Sequence, residues 1–184
     1  FTKVGTITLD SGEDSLWSSV IDVAQGFAYF GTQIQPFKII KIRLSDFTKV
    51  DVLTLSSDVG GLTSAVIDTL NGFAYFGTNK APGRIVKIRL SDFNEVGTLT
   101  LDSGENYLFS AVIDTSNGFA YFGTNTGSGI IVKVRLSDLT KVGSIVTNYG
   151  ELRSAVIDAA NGFAYFGAYS ATGRIVKIRL SDFT

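Results

Sequence analysis

The octapeptide Asn-Gly-Phe-Ala-Tyr-Phe-Gly-Thr stands at residues 71–78 and returns unchanged at 117–124, with near copies beginning at Gln25 and Asn161. A period this regular means that one supersecondary unit is built several times and stacked, because a single unit of this size cannot bury both of its faces. The marker glycines Gly26, Gly72, Gly118 and Gly162 are 46, 46 and 44 residues apart. Four units, 1–46, 47–92, 93–138 and 139–182, therefore fill the 184-residue chain as one domain, and the two residues missing from the last unit fall in a loop before Ser154.

Each unit contains four short runs rich in Val, Ile, Thr, Phe and Tyr, broken by Gly, Asn, Asp and Ser. In the second unit they are 50–55, 64–68, 73–78 and 84–90. This is the grammar of strands and turns, and no helix is expected. The Asn71-Gly72 step suits a tight hairpin, because both residues tolerate positive φ; Asn117-Gly118 and Asn161-Gly162 are its equivalents and Gln25-Gly26 the one departure. Alternation puts Ile88 and Leu90 on one side of their strand and Lys87 and Arg89 on the other, which predicts a solvated or salt-bridged side and an outer position.

Four antiparallel strands in a unit of about 46 residues are what a β-propeller blade requires. The order of strands, hairpin and long loop in SAVIDTLNGFAYFGTNKAPGRIVKIRLSDFNEVGTLTL, residues 64–101, resembles the YVTN-type repeats of bacterial and archaeal surface propellers, and the likeness covers the whole chain. Tyr-Phe-Gly-Thr stands where the Tyr-Val-Thr-Asn tetrapeptide would, and the Trp-Asp signature of WD-repeat blades is absent. The expected fold is all-β, a propeller of four four-stranded antiparallel blades. Residues 1–9 match the strand that ends a blade, and the last unit lacks that strand, so the N-terminal strand is expected to complete the last blade and remove its open edge.

Composition narrows the function. With 16 basic and 17 acidic residues the net charge is −1, which offers no concentrated positive surface for nucleic acid or an anionic membrane. The chain has neither Cys nor His. That removes disulfides, thiolate sites, cysteine nucleophiles, Ser-His-Asp hydrolysis and most transition-metal chemistry, and no cofactor or metal is expected. No apolar run reaches the ~18 residues of a spanning helix and no charged-then-apolar leader opens the chain, so no membrane insertion is expected. A sequence without Met, in which Phe1-Thr2 recurs as Phe183-Thr184, reads as a processed form or as a window from a longer array.

Several motifs have plain readings. Residues 77–84 resemble a phosphate loop only superficially, with five residues between the glycines and Arg84 in place of the lysine and hydroxyl pair. Residues 127–132 lack the third glycine of a dinucleotide fingerprint. Acidic residues crowd at Asp10, Glu13 and Asp14 and again at Asp102 and Glu105, in Asp-Ser-Gly-Glu turns. Such oxygens could take calcium or serve as a glycosidase pair, but neither segment has EF-hand spacing and Asp-Ser-Gly is a good turn by itself. Asp22, Asp68, Asp114 and Asp158, and the Lys/Arg pairs 41/43, 87/89, 133/135 and 177/179, recur in every unit. A feature repeated in each blade is read as a building device, with Asp capping the following turn and Arg pairing with Asp46-type carboxylates. The columns Phe27/Tyr29/Phe30, Phe73/Tyr75/Phe76, Phe119/Tyr121/Phe122 and Phe163/Tyr165/Phe166 are read as packing between blades.

Function is therefore sought where the units differ. In a propeller the connections alternate between two faces. One carries the near-constant hairpins and turns, the other two variable sets. In the first set Trp17, Thr63, Phe109 and Arg153 occupy one repeat position; in the second, 33–37, 79–83, 125–129 and 169–173, no two are alike. Trp17, Phe37, Phe109, Arg153 and Tyr169 are the residue types that dominate interface hot spots and are taken as the partner-binding residues. The expected function is a non-enzymatic structural or protein-interaction scaffold. Its partner is a further copy, in an eight-bladed dimer or a fibre, or another surface protein. The resemblance implies an extracellular or cell-surface location. Alternatives are a lectin-like propeller that binds glycan and a carboxylate-dependent glycan hydrolase.

Overall fold

The computed structural model describes residues 1–184. It contains fifteen strands and no helix. The strands are β1 (Leu16–Asp22), β2 (Phe27–Thr32), β3 (Lys38–Arg43), β4 (Thr48–Thr54), β5 (Gly61–Asp68), β6 (Phe73–Asn79), β7 (Arg84–Arg89), β8 (Asn94–Thr100), β9 (Leu108–Asp114), β10 (Phe119–Thr124), β11 (Ile130–Arg135), β12 (Thr140–Val146), β13 (Glu151–Asp158), β14 (Phe163–Tyr169) and β15 (Arg174–Arg179). They form antiparallel meanders, β1-β2-β3-β4, β5-β6-β7-β8, β9-β10-β11-β12 and the three-stranded β13-β14-β15, here called blades 1 to 4. The blade boundaries lie one strand from the sequence units, because the strand that opens each unit after the first pairs with the unit before it, as β4 does with β3.

The hairpins form around the recurring Asp. In blade 2 the Asp68 carboxylate accepts hydrogen bonds from the backbone N–H (3.1 Å) and side-chain amide (2.7 Å) of Asn71, while Gly72 takes φ 76°. The turn is thus a four-residue loop capped by Asp, in which Gly alone needs the left-handed region. The charged strand is not the outermost. β7 lies between β6 and β8, and the ammonium of Lys87 is covered, 4.1 Å from the Phe73 ring centroid and 2.9 Å from the Leu136 carbonyl of blade 3. The apparent solvated side is a lysine enclosed between blades.

Blades stack face to face in chain order, with first strands β1, β5, β9 and β13 touching in turn along the inner side. Each junction holds one apolar cluster. Between blades 2 and 3, Val66, Tyr75, Ile85 and Leu101 of one meet Leu108, Ala120, Phe122, Val132, Val134 and Leu136 of the next. The junctions of blades 1 with 2 and 3 with 4 repeat it at equivalent positions. Close approach depends on Gly77. A Cβ there would stand 2.9 Å from Leu108 and 3.1 Å from Phe122 of the neighbouring blade, so any larger residue pushes the sheets apart.

Three junctions join four blades, so the structure is an open arc. The expected closure by the N-terminal strand does not occur. Residues 1–15 form no strand, and β15 keeps a free edge. The segment lies instead against blade 1, where Ile7 and Leu9 line an apolar hollow with Leu16, Phe30, Ile40, Ile42 and Phe47. Lys49 of β4 holds it there through Asp10 (2.5 Å) and Glu13 (2.8 Å).

Phe122 is fully buried at a junction, whereas Phe30 at the same repeat position in blade 1 is only half-buried. Phe122→Ala is expected to cost about 3–5 kcal/mol and Phe30→Ala clearly less. Urea midpoints at constant m-value, taken on protein dilute enough to be a single chain, check this; equal losses there would mean that blade 1 is enclosed within its own chain like the others.

Candidate functional site

The two faces of the arc differ in kind. On the hairpin face the same contacts recur in each blade. Lys41, Lys87, Lys133 and Lys177 sit 4.3, 4.1, 4.2 and 3.6 Å from the centroids of Phe27, Phe73, Phe119 and Phe163. Arg43, Arg89, Arg135 and Arg179 each pair with the Asp three residues on. Clefts open between the blades on this face, one of about 280 Å³ walled by Asp68, Phe73, Tyr75 and Lys87, and one of about 430 Å³ walled by Asp22, Phe27, Tyr29 and Lys41. Burial, with the nearby Asp charge as the lesser cause, pushes the phenols of Tyr29 and Tyr121 up to about 12 and that of Tyr75 higher still. Burial pulls Lys87 and Lys133 below the usual lysine range. The phenols stay protonated across the neutral range, which fits packing better than proton transfer.

The opposite face is formed by the strand starts and the long connections, since Leu16 at the start of β1 pairs with Thr32 at the end of β2. Here the blades differ. Trp17 is 57% exposed, and its ring lies edge-on to the half-buried Phe109, with centroids 6.1 Å apart. The equivalent Thr63 is buried and donates its hydroxyl to the Leu108 carbonyl (2.8 Å). In blade 4 the Arg153 guanidinium stacks on Tyr169 at 4.5 Å and pairs with Glu151 at 2.6 Å. Four of the five sequence-predicted residues, Trp17, Phe109, Arg153 and Tyr169, thus lie on this face as one aromatic pair and one cation–π pair.

Phe37 does not join them. It is 9% exposed and belongs to the cluster between blades 1 and 2, beside Leu55 and Val59. Its loop is variable, but its ring fills the junction, so it is a core residue. The sequence reading also missed Tyr107 and Tyr149, both about two-fifths exposed in the connections that lead into β9 and β13. Arg174 stacks over Tyr149 at 4.7 Å. A position-by-position comparison of those connections would have found them, since an aromatic ring in a connection otherwise made of Ser, Asp, Asn and Gly is itself a signal. Beside them Asp58 pairs with Arg84 at 2.6 Å, and the Ser56 hydroxyl together with Arg84 holds its carboxyl at about 2.

The two Asp-Ser-Gly-Glu turns are clasps. In each, the Glu carboxylate accepts the backbone N–H of its Asp at 3.1 Å, and both carboxylates close on one lysine, Lys49 in the first turn and Lys141 in the second. Glu13 and Glu105 are 4% exposed. The ammonium occupies the place a cation would take, and the carboxylates share it instead of facing each other across a cleft. No three acidic side chains converge anywhere in the chain.

No protein-family model matches the chain, and no curated protein matches it. Solved structures do. The fold is similar to Kuenenia stuttgartiensis hydrazine synthase (TM-score 0.80, 9% identity, 99% of this chain and 50% of that one) and to U3-55K (TM-score 0.78, 10% identity, 96% and 52%). It is similar also to the WD40 repeats of RRP9 (TM-score 0.71, 10% identity, 87% and 47%). At such identities the likeness shows the fold alone, a β-propeller arrangement of blades. The chain spans about half the length of these matches.

The buried phenols set an alkaline limit. An unfolded tyrosine ionises near 10, whereas Tyr29 and Tyr121 keep their protons to about 12 in the fold. The unfolded chain therefore loses protons first. Stability from these groups is complete below pH 10 and is lost as pH rises through 12. Urea midpoints are expected to fall across that window, with tyrosinate absorbance of these residues appearing together with unfolding. Their free ionisation near 10 in the folded protein would show the phenols to be open to water.

Proposed function

We propose that this chain is a non-enzymatic protein-interaction scaffold, extracellular or at a cell surface and self-assembling, whose partner meets the variable face at Trp17, Phe109, Arg153 and Tyr169. The observation that carries this reading is the contrast between the faces. One repeats the same lysine, arginine and aspartate contacts blade after blade, while the other presents Trp17, Thr63, Phe109 and Arg153 at one repeat position. A partner that sees one asymmetric surface needs different groups, and exposed Trp, Tyr and Arg with partly immobilised rings are what such contacts use. The propeller neighbours support the reading in kind: the structure of a nidogen/laminin complex matches with TM-score 0.69 at 14% identity, over 90% of this chain and 61% of that one. The surface location follows from the resemblance to surface propeller repeats. The hydrolase alternative loses its motivation where both acidic pairs close on lysines.

Trp17 is the single tryptophan, so its emission reports directly on this face. Proteins from an extracellular extract are expected to bind the wild-type chain with a change in that emission. Trp17→Ala with Phe109→Ala should weaken capture by about 30-fold or more, as loss of a hot spot does, while Asn71→Ala with Asn117→Ala on the hairpin face leaves it intact. Full binding by the first variant, or loss in the second without unfolding, would place the partner elsewhere. A glycan-array signal removed by the first variant would turn the reading toward the lectin.

A further inference from the structure

We propose that the two end faces of the arc dock on each other between two copies of this chain, with residues 3–9 of each copy adding the fourth strand that β15 of the other lacks. This rests on the self-assembly reading above and names its interface.

The interface is already present three times within the chain. Its donor half is a Val, a Tyr and an Ile: Val66, Tyr75 and Ile85 are 6%, 1% and 0% exposed, and Val112, Tyr121 and Ile131 are 6%, 0% and 0%. Blade 4 carries the same three as Val156, Tyr165 and Ile175, and there Val156 is 66% and Ile175 77% exposed. The acceptor half lies at the other end. A wholly apolar hollow of about 150 Å³ on blade 1 is lined by Ile7, Leu9, Leu16, Phe30, Ile40, Ile42 and Phe47. At the junction of blades 2 and 3 the same repeat positions are Leu99, Leu101, Leu108, Phe122, Val132, Val134 and Leu139, all in or against the cluster. What that cluster has and the hollow lacks is the donor set.

Phe47 marks the vacancy. It holds φ 53° in the left-handed region, as do Phe93 and Phe183, a conformation unfavourable for a bulky residue unless packing compensates. Phe93 packs on Tyr29 at 5.7 Å and Phe183 on Tyr121 at 5.8 Å, each a tyrosine of the preceding blade. Phe47 is 49% exposed. The tyrosine that would complete it is Tyr165 of a second copy.

Residues 3–9 are already placed for the exchange. A Cβ on Gly5 would lie 3.0 Å from Phe47, just as one on Gly97 of β8 would lie 3.2 Å from Leu139. The clasp of Asp10 and Glu13 on Lys49 repeats that of Asp102 and Glu105 on Lys141. The segment therefore sits on blade 1 where the fourth strand of a preceding blade would sit. By the β7–β8 register, in which Ile85, Val86 and Lys87 face Leu99, Thr98 and Gly97, Ile175, Val176 and Lys177 would face Ile7, Thr6 and Gly5. Thr184 already accepts the Arg179 N–H, filling the first rung, so the incoming strand begins at Lys3. Head-to-tail contacts close into a ring only when the rotation allows. Two copies joined at both ends make eight blades, within the four to eight that propellers typically have.

Native mass measurement of this chain is expected to give twice 19.7 kDa. Val156→Asp with Ile175→Asp should return it to a monomer with an unchanged far-UV spectrum, since both side chains are exposed in the single chain. The chain has no cysteine, so Thr6→Cys with Val176→Cys should yield a covalent dimer on mild oxidation. A disulfide closed within one chain, or an open series of higher masses, overturns the two-copy ring. A dimer that survives the double Asp variant overturns this interface and leaves self-assembly standing, whereas a monomer at every concentration removes self-assembly as well.

Discussion

Everything in this fold depends on two unlike sheet faces meeting without a gap. A blade presents Val, Tyr and Ile on one side and Leu, Ala, Phe and Val on the other, and each side is buried only by the opposite side of a neighbour. Because a four-stranded sheet alone leaves both faces wet, the stabilising unit is the junction and not the blade. Gly77 and its equivalents belong to that unit, since their missing Cβ lets the next blade's Leu and Phe come into contact. The period of the sequence is the period of the junction.

Polar groups follow from this requirement. A lysine in the third strand of blades 1 to 3 faces the neighbouring sheet, where an unpaired ammonium would be costly. Its stem covers apolar surface while the charge rests on a Phe ring, and in blades 2 and 3 it also reaches a backbone carbonyl of the next blade at 2.9 and 3.3 Å. Phe93 and Phe183 accept a left-handed backbone at the following turn because the ring thereby reaches the tyrosine of the blade before. Local strain and buried charge are both offset across the junction, which makes each junction directional.

The strands, their meander order and the absence of helix were legible from alternation and turn residues in units such as 64–90, because those are local properties of the chain. The turn-capping role of Asp68 and its equivalents and the Arg43–Asp46 type of pair were legible for the same reason. What was not legible depends on the angle and order of packing. Lys87 alternates like a solvated side chain, yet the neighbouring blade encloses it. Phe37 sits in a variable loop, yet its ring folds inward because blade 1 has a space beside Leu55 and Val59. Whether four blades close is set by the sum of three junction angles, a quantity no single residue reports. The candidate surface was readable as a set of differences between repeats, and its pairings, Trp17 with Phe109 and Arg153 with Tyr169, only in three dimensions.

An open stack of directional junctions has a consequence for the chain as a molecule in water. One end displays Val156 and Ile175 beside the unpaired edge of β15, and the other displays Leu16, Ile21 and Phe47. Exposed strand edges and contiguous apolar faces favour association with whatever fits them. In the two-copy arrangement proposed above, the surface that meets each end is the other end. The N-terminal segment covers only part of its face, through Ile7 and Leu9, and does so in the manner of a strand of the missing blade and not of a cap. The clasp on Lys49 ties that segment to blade 1 while its backbone makes no ladder. Repetition thus has two effects that cannot be separated: it makes a rigid frame from one short pattern, and it leaves at each end of the frame a copy of the surface that built it.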